Sequence, residues 1–179
     1  MLKGMIYDAN NDPRLIAERA ECKELCHDYN HLRPKDVEGR RKIIMEPLGS
    51  VKGNFLIEQP FLCDYGYNIH IGDNFYANHN LVILDGATVK FGDNVFVAPN
   101  CGFYTAGHPI DAAERNKGLE YARPITVGND VWIGGNVCVL PGVTIGDDCV
   151  IGAGSVVVKD IPPHSVAVGN PCKVIKKIK

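Results

Sequence analysis

A period of six runs through the C-terminal half of this chain. Every sixth residue from Val127 is Val or Ile: Val127, Ile133, Val139, Ile145, Ile151 and Val157. Glycine follows at 128, 134, 146 and 152, with only Leu140 and Val158 departing. A second series of small or branched residues recurs four places on, at Val131, Val137, Val143, Cys149, Ser155 and Ile161. A helix cannot use this period, because its apolar face returns every 3.6 residues. A two-faced strand needs only alternation. Six fits a three-sided solenoid whose flat sides are short strands. The branched residue enters the prism, and the small residue after it lets the chain turn the corner. Three sides make a coil of about 18 residues, and coils stack as parallel strands about 4.8 Å apart. The rival arrangement is a β-sandwich with regular turns.

The same phase appears earlier at Ile71, Ala77, Ile83 and Val89. It shifts by two to Phe91, Val97 and Phe103, then breaks over residues 105–123 before resuming. Residues 1–54 have a different texture and read as a helical cap, leaving 55–179 for the coils, the 105–123 loop and a C-terminal tail. Asp12-Pro13 offers an N-cap and a proline at the first helical position. Leu15, Ile16, Arg19, Cys22, Leu25, Cys26 and Tyr29 follow at helical spacing, and Arg33-Pro34-Lys35 breaks the pattern. A second helix is expected over 37–48, with Gly49 as its stop. Helices suit the end of a solenoid, which otherwise exposes unpaired strand groups.

Composition narrows the function classes. A 22% charged, 45% hydrophobic chain is no disordered polar segment, and a mean hydropathy of -0.07 excludes a bulk membrane protein. A net charge of -2 provides no positive field for nucleic acid or an anionic membrane surface. Residues 1–8 lack the apolar core of a signal peptide, so a cytoplasmic location is expected. The seven cysteines are odd in number, scattered and without a Cys-x-x-Cys pair, which favours buried free thiols over a disulfide framework or zinc cage. No metal is expected.

His108 lies in the one long interruption of the repeat. Loops thrown out from a rigid scaffold are where sites tend to lie. Imidazole is also the side chain whose ordinary pKa suits proton removal near neutrality. Gly107 and Pro109 flank it. His27 and His31 lie i,i+4 on the first helix, where a solvated face outweighs a metal pair lacking a third ligand. His70, His79 and His164 are assigned no role.

The Ile-Gly-x4 hexapeptides resemble those of left-handed parallel β-helix acyltransferases. Tyr29-Asn30, Cys63-Asp64-Tyr65-Gly66-Tyr67-Asn68-Ile69, Asn74-Phe75-Tyr76-Ala77-Asn78, Thr105-Ala106-Gly107-His108-Pro109 and Gly169-Asn170-Pro171 narrow the likeness. In that order they resemble the maltose/galactoside O-acetyltransferase family. The resemblance implies transfer of acetyl from acetyl-CoA to a sugar hydroxyl in a homotrimer with sites between subunits. Within it, His108 is the general base, Asn78 contacts the acceptor and the reacting group, and the Gly135 N–H holds the oxyanion. Asp64 and Asp85 match acceptor-side positions. Asp85 aligns with the first of two family aspartates, and the one credited with acceptor binding falls on Gly86. A galactoside-type acceptor aspartate would align with Ala9, beside Asp8. Trp132 is expected against the pantetheine arm or as a hydrophobic cover between coils. Ala153, Val158, Lys159, Lys173 and Lys176 align with coenzyme A contacts. Val158 stands where the galactoside branch has threonine, and the lysines at 173 and 176 replace arginines, keeping charge but losing the bidentate fork.

Hydroxyl and thioester would then meet in one ternary complex, without an acetyl-enzyme. Three other readings stay open on the sequence: acetylation of a non-sugar, xenobiotic hydroxyl; a non-catalytic structural solenoid subunit; and a carbonic-anhydrase-like zinc enzyme, for which the loop supplies only His108.

Overall fold

The computed structural model describes residues 4–179; the first three residues of the opening segment lie outside it. The chain winds as a three-sided parallel β-helix. The first face stacks Ser50–Val51, Ile69–Ile71, Val89–Phe91, Ile125–Val127 and Thr144–Ile145. The second stacks Phe55–Ile57, Phe75–Ala77, Phe96–Val97, Trp132–Ile133, Cys149–Ile151 and Ser165–Val168. The third stacks Phe61–Cys63, Leu81–Leu84, Gly102–Tyr104, Cys138–Val139 and Val156–Val157. All of these pairings are parallel.

The residues of both sixfold series, from Val127 to Val157 and from Val131 to Ile161, are buried along the axis. Phe75, Phe91 and Phe103 fill the earlier coils, with ring centroids 5.0 and 4.9 Å apart. The apparent shift in phase has a simple origin. Strand partners are 20 residues apart in the early coils (Phe55 opposite Phe75, Tyr76 opposite Phe96), 18 apart later, where Thr126 faces Thr144, and 16 apart in the last, where Cys149 faces Ser165. The uniform 18-residue coil expected from the repeat is therefore corrected. The two extra residues sit at the corner between the third and first faces, within 64–68 and 85–88.

The other corners repeat. Asn74, Asn94, Asp130 and Asp148 take φ between 51° and 58°, a left-handed conformation that Asn and Asp tolerate. Asn74 Nδ2 donates to Asn94 Oδ1 at 2.9 Å and Asn94 Nδ2 to Asp130 Oδ1 at 2.8 Å, so one coil's corner is tied to the next. At Gly134 a Cβ would lie 2.6 Å from the Ala153 nitrogen of the following coil. Gly134→Ala is expected to destabilise the fold by about 1–3 kcal/mol. At Gly135 the nearest atom to a Cβ is Pro99 O at 3.4 Å, so Gly135→Ala should leave the urea midpoint nearly unchanged. Matched denaturation curves check both.

The cap consists of α1 (Pro13–His31) and α2 (Val37–Met45). Asp12 accepts from the Arg14 and Leu15 N–H groups as the N-cap. The second helix ends three residues short of the expected 48. Pro47 has no N–H to continue the ladder, and Glu46 closes the helix. On α1 only Cys22, Cys26 and Tyr29 are buried, whereas Ile16 from the expected apolar face stays exposed. The cap also satisfies the open strand edge. The Asn30 amide donates to Phe61 O (2.9 Å) and accepts from Phe61 N (2.8 Å). Tyr29 Oη and Arg40 both donate to Ile57 O. The coils begin earlier than residue 55, since Ser50–Val51 already pairs with the coil above. At the far end Lys173–Lys177 adds to Ser165–Val168 as an antiparallel strand, giving the tail regular structure. No helix among the described residues is long and apolar enough to cross a membrane.

Candidate active site

The long corner between the third and first faces gathers Asp64, Asp85 and, through the 105–123 loop, His108. That loop is anchored by a small antiparallel sheet. Ala106–Gly107 pairs with Leu119–Ala122, which pairs in turn with Tyr7–Asp8 from the chain's start. A turn of helix, Ala112–Arg115, capped by the Asp111 carboxylate, closes the loop. The His108 ring, its side chain 48% exposed, stands at the edge of this sheet. Its Nδ1 lies 3.0 Å from Leu119 O, which can only accept, so Nδ1 carries the proton. In the neutral ring the lone pair is then on Nε2, 3.9 Å from Glu120 Oε1. Each of the other imidazoles has a local partner: His27 O for His31, Ser50 for His70, Gln59 O for His79 and Asp148 for His164. His27 stacks on His31.

Below the loop lies a polar cavity of about 130 Å³ lined by Tyr7, Asn10, Arg19, Asp64, Tyr65 and Glu120. Tyr7 Oη donates to Glu120 Oε2 at 3.0 Å, and Arg19 donates to Tyr65 Oη and Ala9 O at 2.7 Å each. Burial raises the Asp64 carboxyl above the usual range, against the pull of Arg19 and Lys23. Arg19 and Glu120 belong to none of the segments that carry the family likeness. They converge with Tyr7 only because the first strand crosses to the loop.

Asp85 requires a correction. It is fully buried, and its Oδ1 accepts from the Asp64 and Tyr65 N–H groups at 3.0 and 2.9 Å. A carboxylate with no exposed surface cannot meet an acceptor directly; it shapes the corner that presents Asp64. At Gly86 a Cβ would lie 2.9 Å from Tyr7 Oη and 3.3 Å from Ala122 Cβ, so an aspartate there would have to displace the end of the Tyr7 side chain. Asp8 is half-buried and spends its carboxylate on Asn10 and Asn11 in its own turn.

Desolvation pushes the Asp85 carboxyl up to about 6. Its Oδ2 has no partner among the described residues. Between pH 4 and 6 the folded chain therefore holds more protons here than the unfolded chain, and this site's contribution weakens as pH rises through that window. Asp85→Asn keeps the acceptor oxygen and removes the buried charge. Its stability relative to the parent should improve from pH 4.5 to pH 7.5 by about 2 kcal/mol. Urea unfolding at both pH values measures the change.

The remaining site residues occupy two edges. Asn78, Gly135 and Ala153 stack at the corner between the second and third faces. Asn78 Oδ1 accepts from His79 N at 2.7 Å. Gly134 N donates to Ile151 O and Asn136 N to Pro99 O, while the Gly135 N–H between them has no acceptor among the described residues. Val158 and Lys159 are exposed on the other edge, the one that carries His108. Trp132 is 57% exposed on the second face, in register with Phe96 and Val150. Lys173 and Lys176 are exposed on the terminal strand. Within one chain, His108 and Asn78 are separated by the whole third face.

The three-sided parallel β-helix and its hexapeptide period place the chain among the hexapeptide-repeat acyltransferases. Residues 1–53 match the maltose acetyltransferase hexapeptide capping motif, and residues 124–159 match the bacterial transferase hexapeptide (six repeats). The chain is 52% identical to the galactoside O-acetyltransferase of Escherichia coli over 92% of its own length and 81% of that protein's. A solved maltose O-acetyltransferase from Clostridium difficile superposes with a TM-score of 0.97 at 54% identity, covering 99% of this chain and 95% of the other. A galactoside acetyltransferase solved in complex with coenzyme A gives 0.96 at 48% identity, covering 99% and 88%. The chain belongs to the maltose/galactoside O-acetyltransferase family.

Proposed function

We propose that the chain transfers acetyl from acetyl-CoA to a sugar hydroxyl, with His108 as general base, in sites completed between the subunits of a homotrimer. The observation that carries the reading is the imidazole. Nδ1 is committed to the Leu119 carbonyl, which leaves Nε2 basic beside a cavity lined by Asp64 and Glu120.

A sugar hydroxyl seated there gives its proton to His108 Nε2 as its oxygen attacks the thioester carbon. Negative charge moves to the carbonyl oxygen, and the unengaged Gly135 N–H is a preorganised donor for it. Collapse of the adduct breaks the C–S bond. The departing thiolate takes the proton back from the imidazolium, so the base is restored and no acetyl-enzyme forms. Asn78 orients the acceptor, Asp64 and Glu120 hold its vicinal hydroxyls, and Asp85 keeps the Asp64 corner in shape. Trp132, Ala153, Val158, Lys159, Lys173 and Lys176 line the path of the donor.

The need for a second copy follows from the two edges. The base and the oxyanion donor of one chain flank opposite sides of its third face, so a complete site takes His108 from one copy and Asn78 with Gly135 from the next. Apolar side chains on the outer surfaces, Leu56, Leu62, Phe96 and Trp132, favour such packing. Thiol release from acetyl-CoA across glucose, maltose, galactosides, amino sugars and a non-sugar alcohol tests the reading. Turnover with at least one sugar is expected. Release only with the non-sugar alcohol, or none at all, would overturn it.

A further inference from the structure

The most closely grouped nucleophiles of the chain take no part in acetyl transfer. Cys22 and Cys26 lie one turn apart on the inner side of α1, and Cys63 ends the first strand of the third face. All three are free and buried. Cys63 Sγ is 3.4 Å from Cys22 Sγ and 3.8 Å from Cys26 Sγ, and all three sulfurs lie within 4.8 Å of one another. No other group of three His, Cys, Asp or Glu side chains among the described residues converges this way.

We propose that Cys22, Cys26 and Cys63 form a binding site for a thiophilic divalent cation of the zinc class, joining the cap helix to the first coil. Sulfurs with these spacings have an equidistant point at most about 2.4 Å from each, against a zinc–thiolate distance of about 2.3 Å. The donor set is soft, which selects zinc over magnesium or calcium. Cys26 and Cys63 also line a cavity of about 530 Å³ together with Lys23, His27, Asn30 and Asp64. That cavity supplies an entry path and space for a water as fourth ligand, and the Lys23 ammonium on its wall offsets the net charge of three thiolates around a divalent ion. The thiol protons leave to solvent as the metal binds. A Cys22–Cys63 disulfide would use two of the sulfurs and require an oxidant, whereas a metal uses all three. The linear sequence hides the site, because positions 22, 26 and 63 form no Cys-x-x-Cys pair. The inference does not rest on the acetyl-transfer reading.

Tag-free, fully reduced full-length protein, freed of metal by a chelator, is titrated with Zn(II) against a chromophoric competitor. One zinc per chain is expected, with affinity lowered at least about 100-fold in Cys63→Ser and in Cys26→Ala and unchanged in Cys138→Ser. Co(II) should give thiolate-to-metal charge-transfer absorption that the same two variants lose. Circular dichroism verifies that each variant is folded, and Cys22→Ser replaces any that is not. Three results would each overturn the site: zinc affinity insensitive to all three cysteines, affinity lost in His27→Gln or His31→Gln instead, or a wild-type chain that binds no zinc and yields only a disulfide on oxidation.

Discussion

His108→Ala is expected to lower kcat for acetyl transfer by about 10²–10⁴-fold while the protein still binds coenzyme A. The size of the effect follows from what the imidazole supplies. A sugar hydroxyl gives up its proton far above neutral pH, and among the described residues no other imidazole stands beside the cavity under the loop. Folding should be little affected, because the side chain is half exposed and its single protein hydrogen bond goes to a loop carbonyl. Thiol release under saturating acetyl-CoA, with coenzyme A affinity measured separately by calorimetry, distinguishes loss of the base from loss of donor binding. Turnover within threefold of the parent would remove His108 from the mechanism.

Two inactive variants are expected to restore each other. His108→Ala and Asn78→Ala each disable every site in a homogeneous trimer. In trimers reassembled from equal amounts of both, about a quarter of the sites draw His108 from one chain and Asn78 from the other, with both residues intact. Activity should therefore return to about a quarter of the parent after joint unfolding and refolding, from a level near zero in either variant alone. A mixture that stays inactive although its subunits have exchanged would mean that one chain supplies both residues. That outcome would leave the base intact and refute the shared site.

The period of six made the core legible before any coordinates. A residue that must enter a narrow prism at each turn has to be apolar and recurs at a fixed interval, and every member of that series is buried. The N-cap at Asp12 and the helix after it were equally readable, because capping is local chemistry. Less visible were the positions whose role depends on a neighbour distant in sequence. Asp85 aligned with the first of two family aspartates on the acceptor side, yet its carboxylate turns inward to the backbone of the preceding coil. Glu120 carried no motif, and nothing in the linear sequence paired it with Tyr7. They meet at 3.0 Å because the first strand pairs with the loop.

By itself, then, the sequence determined the repeat, the inward side chains, the cap and the one long loop, since each follows from spacing along the chain or from a side chain's effect on its own backbone. The tertiary structure alone decided which corner received the extra residues, which histidine nitrogen stayed basic, that Asp85 faces inward, and that three separate cysteines share one pocket. Those outcomes turn on distances between coils and on burial, and neither is encoded in the separation of residues along a strand.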